Sequence, residues 1–103
     1  MTAQEIRAWY PNPRRVTDRH ILEESSSYCV GGALCQFISS SDDDRFPSLL
    51  SLRTALHAAN SALSPWQRRY WAARITESND SGEFEVAWRA LDKALSFRKD
   101  STL

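Results

Sequence analysis

Three residue types that hydrolases use occur in the chain order Cys29, His57, Asp80. Papain-like enzymes place a cysteine nucleophile at the start of a helix and a histidine base later in the chain. The positive end of a helix dipole favours the thiolate, which is the attacking species. Cys29 falls near the start of a helix expected over 28–39, so the pattern supplies a nucleophile, a base and an acid. His57, however, falls inside an amphipathic helix rather than on a strand that would present it. No oxyanion donor is marked by the sequence either. Cys29 and Cys35 read more simply as small apolar core residues. A cysteine hydrolase using Cys29 and His57, with Asp80 as the acid, is therefore an alternative, and no catalytic residue is assigned.

A metal site could be drawn from His20, Cys29, Cys35 and His57. Zinc sites need spacings that bring four ligands to one tetrahedral ion, and five residues between two cysteines of one helix do not provide that. Asp42-Asp43-Asp44 reads as a solvated acidic loop. Gly31-Gly32 lacks the surrounding pattern of a phosphate-binding loop. No metal or cofactor is expected.

A third constellation is Arg68, Arg69 and Arg74 on one helix with Trp66 and Trp71. Cations interleaved with aromatic rings can hold a nucleic-acid backbone and stack its bases. The plainer expectation is an aromatic core face with arginine stems along its edge. A general nucleic-acid binder carries a basic excess, whereas this chain has 13 Lys and Arg against 13 Asp and Glu. Weak nucleic-acid binding through Arg68, Arg69 and Arg74 thus ranks as a second alternative. A protein partner or self-association, contacting Arg68, Arg69, Trp71 and Arg74, ranks above it.

The elements that must position these residues are helical. Thr2 to Glu5 fits a capping box, and a short helix follows from Ala3 to about Trp9, stopped by Pro11 and Pro13. Residues 14–27 carry little pattern, with room for a short strand or hairpin near residues 16–23. Ser25-Ser26-Ser27 suits the approach to a helix. In Tyr28–Ser39, Val30, Ala33, Leu34, Phe37 and Ile38 recur at helical spacing. This predicts the central, most buried helix, with Gly31-Gly32 marking close approach of another backbone. Phe46-Pro47 opens the next helix, whose stripe is Leu49, Leu52, Leu56, Ala59 and Leu63. Ser64 to Gln67 is a second capping box with Pro65 at the first helical position, predicting a helix to about Glu77. Asn79 to Gly82 signals a loop. A last helix begins near Glu83, with the stripe Phe84, Trp88, Leu91 and Leu95 and a Glu85–Arg89 pair four apart.

A length of 103 residues makes one domain over 1–103 the natural expectation, with a frayed tail at 99–103. The expected fold is mainly α, a compact bundle of four to five short helices. No apolar run approaches the roughly 18 residues that a membrane helix needs. The first ten residues lack the apolar region of an export signal, and two cysteines fit reduced thiols in a cytoplasm.

Two blocks, Tyr28-Cys29-Val30-Gly31-Gly32-Ala33-Leu34-Cys35 and Asn79-Asp80 followed by Ala87-Trp88-Arg89-Ala90-Leu91-Asp92-Lys93-Ala94-Leu95, resemble a family of small actinobacterial and phage proteins that share a domain of unknown function. The resemblance covers about two thirds of the chain. It implies a bacterial or phage setting, the host cytoplasm in the latter case, and carries no activity. The expectation that emerges is a non-enzymatic protein-interaction module of phage or mobile-element origin.

Overall fold

A computed structural model describes residues 1–15, 29–38 and 48–98 and arranges them as five helices, with no strand among the described residues. The mainly α bundle expected from the sequence is what forms. The segment near residues 16–23, the serines at 25–27, the acidic run 42–44, Pro47 and the tail 99–103 lie outside the described residues.

Helix α1 (Ala3–Trp9) starts where Thr2 Oγ1 accepts the Glu5 amide at 3.1 Å. It buries Ala3 and Ile6. Helix α2 (Val30–Phe37) is the centre of the molecule: every residue from Val30 to Cys35 is buried, and α2 touches all four other helices. Helix α3 (Leu49–Ala59) begins at Ser48, whose hydroxyl accepts the Ser51 amide. The expected stripe does not run on as helix to Leu63. Asn60 ends α3 and uses its side-chain amide to cap the far end of another helix, donating to the carbonyls of Ala94 (2.9 Å) and Phe97 (2.9 Å). Leu63 is nonetheless buried from the connecting turn.

Helix α4 (Pro65–Asp80) has the full reciprocal cap: Ser64 accepts from the Gln67 amide and Gln67 accepts from the Ser64 amide. It runs three residues beyond the expected end at Glu77. Asn79-Asp80 is a turn signal in isolation, but the Asn79 side chain is fully engaged. Its Oδ1 accepts the Val30 amide at 2.9 Å, and its Nδ2 donates to the Arg14 carbonyl at 2.8 Å. These tertiary bonds hold the last turn helical against local propensity. The chain then reverses through Ser81–Glu83, with Gly82 at φ 78°, a left-handed position that glycine fills without strain. Helix α5 (Phe84–Ser96) buries Trp88 and Leu91 as expected, with Phe84 and Leu95 packed at the margin of the core.

Alanines 33, 55, 72, 87, 90 and 94 are buried in the core, and small side chains let helix axes come close. Gly31 marks the tightest approach. A Cβ there would sit 3.0 Å from Leu52 Cδ2 on α3. Outside the core, Arg7 pairs with Glu85 and lies over the Trp88 ring, 5.8 Å from its centroid. Glu85 thus has a partner on α1, not only the Arg89 expected on its own helix. Its carboxyl is held below the usual range first by the Arg7 hydrogen bond, with a smaller pull from Arg89.

Candidate functional site

Cys29 and Asp80 share the buried start of α2, but the chemistry there runs against a nucleophile. Cys29 caps α2, its sulfur accepting the Gly32 amide at 3.2 Å. Burial pushes the thiol up to about 11, and the nearby Asp80 charge adds to the rise; the Gly32 bond opposes it without winning. A general acid–base triad needs the histidine at the thiol. His57 is exposed on α3, where its Nδ1 lies 3.2 Å from Arg68 Nη1 in a groove lined by Arg53, Arg68 and Arg69. Both cysteines are buried and neither is in a disulfide. Among the described residues no three His, Cys, Asp or Glu side chains converge as metal ligands, and no helix is long and apolar enough to cross a membrane.

The arginine helix is different from the expected core edge. Trp66 and Tyr70, four residues apart, look like a core stripe in the sequence. In the fold α4 buries Ala72, Ile75 and Asn79 instead, which turns Trp66 (62% exposed) and Tyr70 (45%) outward. Their rings stack nearly parallel, centroids 5.7 Å apart, and Trp71 meets Tyr70 edge-on at 4.9 Å. Trp71 is half-buried and packs against the core, so it anchors the exposed pair.

Cations surround these rings. Arg69 and Arg74 flank Trp66 and Tyr70. On one side, α3 and the start of α4 enclose a groove of about 320 Å³ lined by Arg53, His57, Arg68 and Arg69. On the other, Arg74, Arg89 and Lys93 line a depression between α4 and α5 beside Tyr70 and Trp71. Shared residues (Arg69, then Tyr70 and Arg74) make the three depressions one continuous band. Among the described residues Glu77 is the only carboxylate lining it. Arg68 is partly committed to the fold, since its Nη1 donates to the Leu63 carbonyl at 2.7 Å; Arg69 and Arg74 project into solvent.

Of the four partner-contact residues expected from the sequence, Arg68, Arg69 and Arg74 lie in this band and Trp71 supports it. Trp66 was grouped with these arginines in the sequence, whereas Tyr70, Arg53, Arg89 and Lys93 were not. A signal for the cations was present: from Arg45 to Thr76 the sequence has five arginines and no Asp or Glu. Whole-chain charge averages that segregation away.

No family model matches the chain, and no curated protein or solved structure shows significant similarity to it.

Proposed function

We propose that this chain is a non-enzymatic interaction module that docks an acidic segment of a protein partner on the α3–α4–α5 band. The observation that carries this reading is the exposed Trp66–Tyr70 stack set among Arg69, Arg74, Arg89 and Lys93. Trp, Tyr and Arg are the residues that dominate binding energy at protein interfaces. Large rings bring buried area at small entropic cost, and guanidinium groups pair carboxylates bidentately. A partner segment that alternates carboxylates with apolar side chains satisfies both. A cytoplasmic, phage-derived setting belongs to the same proposal and rests on the sequence resemblance.

The test is fluorescence anisotropy with two labelled peptides, one alternating Glu and Leu and one alternating Lys and Leu. The acidic peptide should bind, and the Tyr70→Ala, Arg74→Ala double variant should weaken it more than about tenfold, the loss of one good hot spot. Equal binding of the lysine peptide, or an unaffected variant, refutes the reading. Aromatic rings beside arginines also favour a single-stranded nucleic acid. A labelled oligonucleotide bound more tightly than the acidic peptide, with steep salt dependence, would replace the protein partner with that second reading.

A further inference from the structure

We infer that the groove between α3 and the start of α4 is a binding site for a tetrahedral oxyanion, a phosphate group above all. The groove is the α3 end of the docking band, but the inference does not depend on the docking reading. Its basis is a hydrogen-bond inventory. Among the described residues the groove presents Arg53, His57, Arg68 and Arg69 and no carboxylate. Arginine can only donate. The contact between Arg68 Nη1 and His57 Nδ1 at 3.2 Å therefore makes Nδ1 the acceptor. That assigns the ring proton to Nε2, so His57 offers the groove another donor. The one hydroxyl among the described lining residues, Thr54 Oγ1, is already donating to the Leu50 carbonyl at 3.0 Å. Arg53 Nε is buried with no hydrogen-bond partner among the described residues.

Three arginines and an imidazole thus line one groove, with no carboxylate among its described lining residues. Self-repulsion of this kind is relieved by an acceptor-only ligand of matching charge. A single carboxylate occupies one guanidinium fork. A phosphate group carries about −1.5 to −2 charges and three acceptor oxygens, enough to engage several donors at once. Leu50 and Pro65 at the margin would contact whatever apolar group the phosphate is attached to.

The test uses the full chain and follows arginine Nε–Hε and histidine resonances by NMR during titration with inorganic phosphate, phenyl phosphate and acetate. Saturable shifts at Arg53, Arg69 and His57 are expected with either phosphate, at millimolar concentration or below, with acetate at least tenfold weaker. Tighter binding of phenyl phosphate identifies a monoester on a larger molecule as the source. Equal binding of the two identifies the free anion; both outcomes support the site. Arg53→Gln should reduce affinity at least tenfold while the thermal midpoint is unchanged, and Tyr70→Ala should leave it unaltered. Should Arg53→Gln lower the midpoint, His57→Ala provides the same test on an exposed residue. Linear, non-saturating shifts, or acetate equal to phosphate, overturn the inference. The Tyr70 control separates that failure from failure of the docking band.

Discussion

Cys29 holds two positions at once: it is a helix cap and a buried thiol. Serine is the commoner choice at such a cap because its oxygen accepts an amide better than sulfur does. Here the thiol also fills an apolar site beside Val30, and the environment rejects its charge. The ordinary value of 9.0 rises to about 11 on folding. A group whose folded value lies above its unfolded value stabilises the fold fully below the unfolded value, and that contribution fades as pH climbs toward the folded one. Denaturant unfolding should therefore show stability falling between the ordinary value of 9.0 and about 11, at up to about 1.4 kcal/mol per pH unit from this group. Cys29→Ser keeps a cap and removes the titration, so its stability should fall less over that window. Parallel curves for the two proteins would show that the thiol is not desolvated. Alkylation of the native protein at neutral pH should likewise be slow, because the neutral thiol is a poor nucleophile.

At the scale of elements, α2 was legible because its apolar residues, its two glycines and its position all pointed to burial. Gly31 can now be assigned a specific neighbour. Leu52 Cδ2 would stand 3.0 Å from an added Cβ, and that methyl is the free end of a side chain that can shift by a few tenths of an ångström. Gly31→Ala should therefore be close to neutral, since a helix-propensity gain of up to about 1 kcal/mol offsets the crowding. Gly31→Leu should overpack α2 against α3 by about 1–3 kcal/mol, lowering the thermal midpoint by several degrees for a domain of this size. A Gly31→Leu midpoint at or above that of the parent would mean that α2 and α3 are not in close contact. α4 was legible at its start and illegible along its length. Ser64, Pro65 and Gln67 determine the start locally. Its buried face, in contrast, is made of Ala72, Ile75, Ser78 and Asn79, two of them polar, while Trp66 and Tyr70 face water. Hydrophobic spacing alone therefore selects the wrong face. The true one depends on Asn79 reaching Val30 and Arg14, partners 49 and 65 residues away, which no local pattern encodes. The arginines of the candidate site were legible, but the exposure of its rings was not, for the same reason: Trp66 and Tyr70 are spaced like core residues, and only the tertiary fold turns them outward.

For the whole molecule, a net charge of zero at pH 7 conceals a polarised surface. Arg53, Arg68, Arg69, Arg74, Arg89 and Lys93 line one band with Glu77 as its only carboxylate among the described residues. The rest of the chain must then carry the compensating negative excess. Exposed charges act over roughly a Debye length, about 10 Å at 0.1 M salt, so an approaching anionic surface responds to the band rather than to the net charge. Both the docking reading and the oxyanion groove require this local field, and it can be measured without any ligand. At pH 7 and low ionic strength the protein should be retained on a sulfonated cation exchanger, which an evenly mixed neutral surface would not be. Arg69→Gln, Arg74→Gln should elute markedly earlier, whereas replacing Arg7, whose charge is paired with Glu85, by Gln should change elution less although it alters net charge in the same direction. Equal shifts per charge removed, irrespective of position, would mean that retention follows net charge and that the band exerts no field of its own. Retention governed by position would give the acidic partner an electrostatic route to the Trp66–Tyr70 stack, and binding through it should then accelerate as salt is lowered.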